Sequence, residues 1–233
     1  MLGSVLEVAT AAPDIRASCE FYERLGFGSA VTGDVWPHHY GVMACRGLCL
    51  GLHALRRPSP SLVFTRANVA QLARDLDAAG FRIGEARLGS DEFNRLELRD
   101  PSGLVLQVLE ARSFSPPAAV PPVTALGGFD ALSLPLRDFA AGAAFWERLG
   151  ASVTTPDEPW KQLRIALPGF SLAFHAPALY DEPLLLFHQQ DLDVAASLLA
   201  ELGVATAPGL GGFAAPDHRI ARGPDGLCLA LLA

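Results

Sequence analysis

The chain has 233 residues, half of them apolar and 18% charged, with 18 basic against 25 acidic side chains for a net charge of −7. That length allows one large domain or two small ones, and the apolar share excludes a disordered chain. The acidic balance leaves no electrostatic footprint for nucleic acid or an anionic membrane surface, and no apolar run is long enough to predict a spanning helix. Residues 1–13 are apolar but lack a basic start, the first Arg being Arg16, so no cleaved leader is expected. Cys19, Cys45, Cys49 and Cys228 form no CxxC pair and no zinc spacing, and read as reduced packing thiols of a cytoplasmic protein.

Along the chain, residues 5–9 read as a strand. Asp14 opens a helix over 15–25 and Gly26 closes it. Apolar runs broken by glycine predict strands at 41–45 and 48–54. A strand at 61–65 leads to a helix over 69–79, opened by Asn68 and closed by Gly80. Strands follow at 94–98 and 104–109. Residues 113–124 carry Pro116, Pro117, Pro121 and Pro122, and read as a stiff extended linker. The order then recurs: a strand at 130–134, a helix over 139–149 between Asp138 and Gly150, a strand at 184–188, and a helix over 192–202 between Asp191 and Gly203. At each helix start an Asx side chain can accept from first-turn N–H groups, and glycine suits the left-handed position past the last turn.

This recurrence is a duplication. Phe21-Tyr22-Glu23-Arg24-Leu25-Gly26 returns as Phe145-Trp146-Glu147-Arg148-Leu149-Gly150, shifted by 124. The stretch 47–54, Gly-Leu-Cys-Leu-Gly-Leu-His-Ala, returns at 169–176, shifted by 122. Pro101-Ser102-Gly103-Leu104 returns as Pro224-Asp225-Gly226-Leu227, shifted by 123. The closing glycines are 54 apart in the first half and 53 apart in the second, so each half repeats again. The unit is one strand, one helix and three strands. Tandem ferredoxin-like domains would need the next helix sooner.

A capped helix ending Phe-Tyr-Glu-Arg-Leu-Gly-Phe, in a half that closes on Asp100-Pro101-Ser102-Gly103 before an apolar strand, resembles the vicinal oxygen chelate superfamily. That superfamily includes glyoxalase I, extradiol dioxygenases, and fosfomycin- and bleomycin-resistance proteins. The resemblance implies an α+β chain of two tandem domains, each a pair of βαβββ modules forming a curved, partly open barrel. The first domain takes residues 1–112 (modules 1–57 and 58–112). The linker takes 113–124, and a second domain with a degenerate site takes 125–233 (modules 125–180 and 181–233).

The resemblance also implies where a divalent metal would be held. The family's ligand positions fall on Glu7, Gly51, Ser61 and Gln107 in the first half, and on Ala131, Ala173, Leu184 and Ala230 in the second. One carboxylate, one hydroxyl and one amide are a poor set for a divalent metal, so no metal or other cofactor is expected.

What remains is a set of cleft candidates. Glu7 suits a general base, or a carboxylate hydrogen-bonded within the barrel. His53 and His175 share one repeat position, two residues past Gly51 and Ala173 and on the same strand face. Each reads as a proton carrier or as a histidine satisfied by backbone. Cys49 shares that parity, a conceivable nucleophile but without a local signature. Trp36, His38 and His39 read as a rim suited to a planar ligand, and Trp160 holds the equivalent place in the second half. Asp217-His218-Arg219 and the segment around Arg95 read as solvated loops, with Arg95 the better pocket residue.

The predicted site is therefore Glu7 and His53, with Cys49, Ser61, Gln107, Trp36, His38 and Arg95 lining it. The expected role is metal-independent binding of a small, largely apolar or aromatic molecule by a monomer or homodimer. One alternative is a lyase or isomerase step by Glu7/His53 acid–base chemistry. Others are a metal-dependent glyoxalase- or dioxygenase-like enzyme with unusual ligands, and a purely structural protein with filled clefts.

Overall fold

The computed structural model describes residues 2–30, 38–91, 93–111, 120–121, 123–157, 160–208 and 218–233. In the first half, β1 (Ser4–Ala11) and α1 (Ile15–Arg24) lead to β2 (Gly28–Ser29), β3 (Tyr40–Cys45) and β4 (Leu48–His53). The second module follows as β5 (Ser61–Arg66), α2 (Val69–Ala78), β6 (Ile83–Arg87), β7 (Arg95–Arg99) and β8 (Val105–Glu110). The second half repeats the order. It runs β9 (Gly128–Pro135), α3 (Phe139–Arg148), β10 (Ser152–Thr154), β11 (Gln162–Leu167) and β12 (Phe170–His175). It ends with β13 (Leu184–His188), α4 (Leu192–Glu201), β14 (Thr206–Pro208), β15 (His218–Arg222) and β16 (Cys228–Leu232).

Each half is one eight-stranded sheet, ordered β2-β3-β4-β1-β5-β8-β7-β6 in the first and β10-β11-β12-β9-β13-β16-β15-β14 in the second. The modules therefore pair within a half. β1 runs antiparallel to β5 and parallel to β4, and β9 does the same with β13 and β12. The βαβββ unit read from the sequence is the unit observed, twice per sheet.

Three helices start as their sequence predicts. The carboxylates of Asp14 and Asp138 each accept from a backbone N–H three residues on, at 2.9 Å, and Asp191 accepts from Asp193 and Val194. Asn68 differs. Its backbone is left-handed (φ 58°) and its side chain makes no cap bond. Asn tolerates that conformation, and its carbonyl accepts from Gln71 and Leu72, as the carbonyls of the three aspartates accept at their helix starts. All four closing glycines take positive φ, from 73° to 90°.

Strand parity sorts side chains into two faces. Val8, Leu50, Leu52, Leu62, Phe64 and Leu106 face the helices and join one large core cluster. That cluster crosses between the halves, where the rings of Phe27 and Phe187 meet edge-on at 6.2 Å. The crossing is reciprocal. Tyr22 of α1 donates to Asp225 in the second half, and Trp146 of α3 donates to Asp100 in the first. Two residues further along each helix, Arg24 donates to the Leu202 carbonyl at the end of α4, and Arg148 to the Ala79 carbonyl at the end of α2. Tyr22 and Trp146 share one repeat position, as do Arg24 and Arg148, so the duplicated halves bind each other by a twofold-related exchange of the same contacts.

The helix-free faces differ between the halves. In the second, Trp160, Leu179, Leu184, Leu186, Ile220 and Leu232 fill the inner face as a separate apolar cluster. Trp160 is thus a buried plug and not a rim residue, packed among apolar side chains where the first half has Glu7, Ser61 and Gln107 on the same face. His218 is likewise not in a solvated loop. It opens β15 and is buried against Trp160, at 5.5 Å between rings. In the first half the inner face carries Glu7, His53, Ser61 and Gln107, all buried, beside a small cluster of Ala9, Val63 and Leu109. Among the described residues no helix is long and apolar enough to cross a membrane.

Candidate functional site

The inner face of the first sheet is built by alternation and one bulge. β1 slips register against β5 between Val5 and Glu7, which turns Glu7 inward while Val8 stays with the core. Ser61 then lies opposite Ala9, Gln107 opposite Val63, and Glu97 opposite Gln107. Across β4, the side chains of Cys49, Gly51 and His53 alternate with the core leucines. Gly51 matters by what it lacks. A Cβ there would collide with the Glu7 carboxylate. At the matching position the second half has Ala173, whose inward partner is Ala131 instead of a glutamate.

Two polar networks occupy this face. In one, His53 Nε2 donates to Glu7 Oε1 at 3.0 Å, and His53 Nδ1 lies 2.9 Å from His38 Nε2. A carboxylate can only accept, so it holds the His53 proton on Nε2 and leaves Nδ1 to accept from His38. Tyr40 stacks nearly parallel to His53, at 5.6 Å. Burial lowers the His38 pKa, with the neighbouring His53 and Arg57 adding to the effect, which keeps His38 neutral at pH 7. In the other network, Arg57 Nη2 donates to Ser61 Oγ at 3.0 Å and Gln107 Oε1 at 3.4 Å, and Gln107 Nε2 donates to Glu97 Oε1 at 2.7 Å.

The structure brings together Glu7, His53, His38, Ser61 and Gln107 as the sequence predicts, and adds Arg57 and Glu97. Cys49 shares the face, and burial, reinforced by Glu7, pushes its thiol up to about 11, which favours the protonated thiol at neutral pH. Arg95 has inward parity beside Glu97, and its guanidinium pairs with Glu85 of β6, the cross-strand partner of Glu97, at 3.0 Å. Trp36 lies outside the described residues.

His175 takes the bland option left open for the pair. Its Nδ1 accepts from Ser133 Oγ at 2.7 Å and its Nε2 donates to the Tyr180 carbonyl at 3.0 Å. Burial pushes its pKa down to about 4, so it stays neutral.

Set beside solved structures, the chain overlaps dioxygenases and a glyoxalase along nearly its whole length. A catechol 2,3-dioxygenase matches with a TM-score of 0.65 at 15% identity, over 98% of this chain and 87% of that one. The 2,3-dioxygenase LapB from Pseudomonas sp. KL28 matches at 0.60 and 16%, over 100% and 93%. The Mn(II)-bound glyoxalase from Novosphingobium aromaticivorans matches at 0.60 and 13%, over 98% and 81%. The chain has the vicinal oxygen chelate fold. No protein-family model and no curated protein sequence matches it.

The fold's metal positions can be tested on these residues. Glu7, Gly51, Ser61 and Gln107, the positions the resemblance assigns to a metal, lie on one face of the sheet. Their chemistry does not fit a divalent ion. Gly51 offers no donor, the hydroxyl of Ser61 and the amide oxygen of Gln107 are neutral, and both accept from a guanidinium. A fixed cation repels a second one: like unit charges about 4 Å apart at an effective dielectric of about 20 cost on the order of 4 kcal/mol, and a dication doubles that. Among the described residues no group of three or more His, Cys, Asp or Glu side chains converges to hold a metal ion.

Proposed function

We propose that the first half binds a small, largely apolar or aromatic molecule at its inner sheet face, without a divalent metal. The observation that carries this is the asymmetry between the two inner faces. One duplicated scaffold is plugged by Trp160 and leucines in the second half. In the first it keeps Glu7, His53, Ser61, Gln107 and Glu97 in two hydrogen-bonded networks. Buried polar groups are costly where an apolar filling is available, and at the positions of Glu7, Ser61 and Gln107 the second half has Ala131, Leu184 and Ala230, while keeping the Ser133–His175 pair. Retaining them supports a binding role, with Tyr40 and His38 as flat surfaces beside the polar groups.

The test is elemental analysis of the purified protein, then melting curves before and after chelation, and again with Mn, Zn, Ni or Fe added. The reading expects substoichiometric metal, an unmoved melting temperature, and a rise with planar small molecules. Near-stoichiometric metal whose removal lowers the melting temperature sinks it.

A second reading, proton transfer on the bound molecule, is favoured by the two consecutive bonds of the Glu7–His53–His38 chain. A proton taken up by His38 can pass its partner proton to His53, and the carboxylate stabilises the resulting imidazolium. Ligands found by the melting screen are followed by NMR in deuterated water. Exchange of an acidic C–H that Glu7→Gln abolishes, with binding retained, supports catalysis. No exchange leaves binding alone.

A further inference from the structure

We infer that Arg57 is the fixed cation of this site, standing on two of the positions where the fold's metal-dependent members hold their metal, and that it recognises an anionic oxygen group on the ligand, such as an aromatic carboxylate. The inference rests on the binding reading above.

The first support is place. Arg57 lies four residues before Ser61 in the connection from β4 to β5, and its Nη2 reaches Ser61 on β5 and Gln107 on β8. These are adjacent parallel strands in which both side chains point to the inner face. A metal would be met by anionic or neutral oxygen donors at those positions. Here the neutral oxygens of Ser61 and Gln107 meet a guanidinium whose charged neighbours are the Glu7 and Glu97 carboxylates, so a fixed positive charge stands at these positions.

The second support is the repeat. The residue four before Leu184, the counterpart of Ser61, is Tyr180. In the second half the arginine has become a phenol whose hydroxyl lies 3.4 Å from Cys228 Sγ, and the inner polar set has become Ala131, Leu184 and Ala230. Arg57 and its two partners are thus replaced as a set, while other inward polar groups of the second half, Arg164 with Gln162 and Asp130, and Ser133 with His175, remain. The set behaves as one unit, as expected if it serves one ligand.

The third support is chemistry. A guanidinium is a planar fork that matches a carboxylate, and it stays charged when partly buried. Arg57 is half-buried, where solvent screens its field less than at an open surface. It lies close enough to His38 to lower that imidazole's pKa. An anion on Arg57 would therefore present its attached ring or chain toward the histidine chain, and the aromatic rings of Tyr40 and His38 favour a flat one.

Benzoate and its neutral isostere benzamide separate this from simple apolar binding. Isothermal titration and melting curves are measured in EDTA-containing buffer for the wild type, Arg57→Leu and Arg57→Gln, each checked for folding by circular dichroism. Two variants are used in case one fails to fold. The expected result is that the wild type prefers benzoate by about tenfold or more, and that the ratio falls to near one in the variants. Equal binding of the two probes by the wild type overturns the assignment and leaves the binding reading standing. So does a benzoate preference that survives both substitutions. No response to either probe overturns the assignment of an aromatic carboxylate.

Discussion

The Glu7 carboxylate lies over Gly51, in the space that the Cβ of any other residue would take. Glycine at 51 and glutamate at 7 are thus one structural unit, as alanines at 173 and 131 are one unit in the second half. Gly51→Ala should push Glu7 off His53 and leave buried polar groups poorly paired, at a cost of about 1–3 kcal/mol in stability. Glu7→Ala alone should also destabilise. The double variant should lose less than the two single losses combined, since the clash disappears with the carboxylate. Chemical denaturation of the four proteins measures the coupling, and strict additivity would refute it.

The second prediction concerns pH. Burial holds His175 at about 4 in the folded protein against an ordinary 6.5. Below pH 6.5 the unfolded chain takes up a proton that the folded chain refuses. His175 therefore contributes stability above pH 6.5 that is lost as pH falls toward 4. The slope for one such proton is about 1.4 kcal/mol per pH unit. Unfolding free energies from pH 7.5 to 4 should fall less steeply in His175→Gln than in the wild type. Parallel curves would show that His175 does not titrate as stated.

The halves should be coupled through their exchanged aromatic donors. Tyr22→Phe removes the bond to Asp225, and Trp146→Phe removes the one to Asp100. Both acceptors are carboxylates, so each substitution should cost about 1–3 kcal/mol by denaturant unfolding. An aliphatic replacement at either position would add a packing loss, so phenylalanine is the cleaner probe. Unchanged unfolding midpoints in both variants would show that the exchanged bonds do not hold the halves together.

Cys49 should be unreactive. With its thiol near 11, only about one molecule in a thousand carries the thiolate at pH 8. Iodoacetamide labelling mapped by mass spectrometry should alkylate Cys49 at least about 100-fold more slowly than free cysteine. Rapid labelling there would support the nucleophile reading.

Much of the fold was legible from the repeat alone. Four Asx–helix–Gly units at near-constant spacing specify four βαβββ modules, because capping and helix closure are local events set by a few adjacent residues. Asn68 shows the limit, since whether an Asx side chain reaches the first-turn N–H groups depends on its backbone conformation, which is left-handed at Asn68 and extended at the three aspartates. The inward parity of Cys49 and His53 was legible because strand alternation has a period of two, while Glu7, Ser61 and Gln107 were placed by the resemblance, and Glu7 faces inward only through the bulge in β1.

The sequence by itself determined the duplication, the modules and the parity of β4, whereas the bulge that aims Glu7 is a feature of the paired sheet. Tertiary structure alone decided what those inward residues do. Arg57 sits in a connection with no periodicity, and only the folding of that connection over β5 and β8 brings it onto Ser61 and Gln107. Glu97 joins through antiparallel register with β8, which local sequence does not encode. His53 and His175 are the same residue in one repeat, and they part because one meets Glu7 and the other meets Ser133 and a carbonyl. Hydrogen bonds are short-range and directional, so partner choice depends on ångström-scale placement that only the closed sheet supplies.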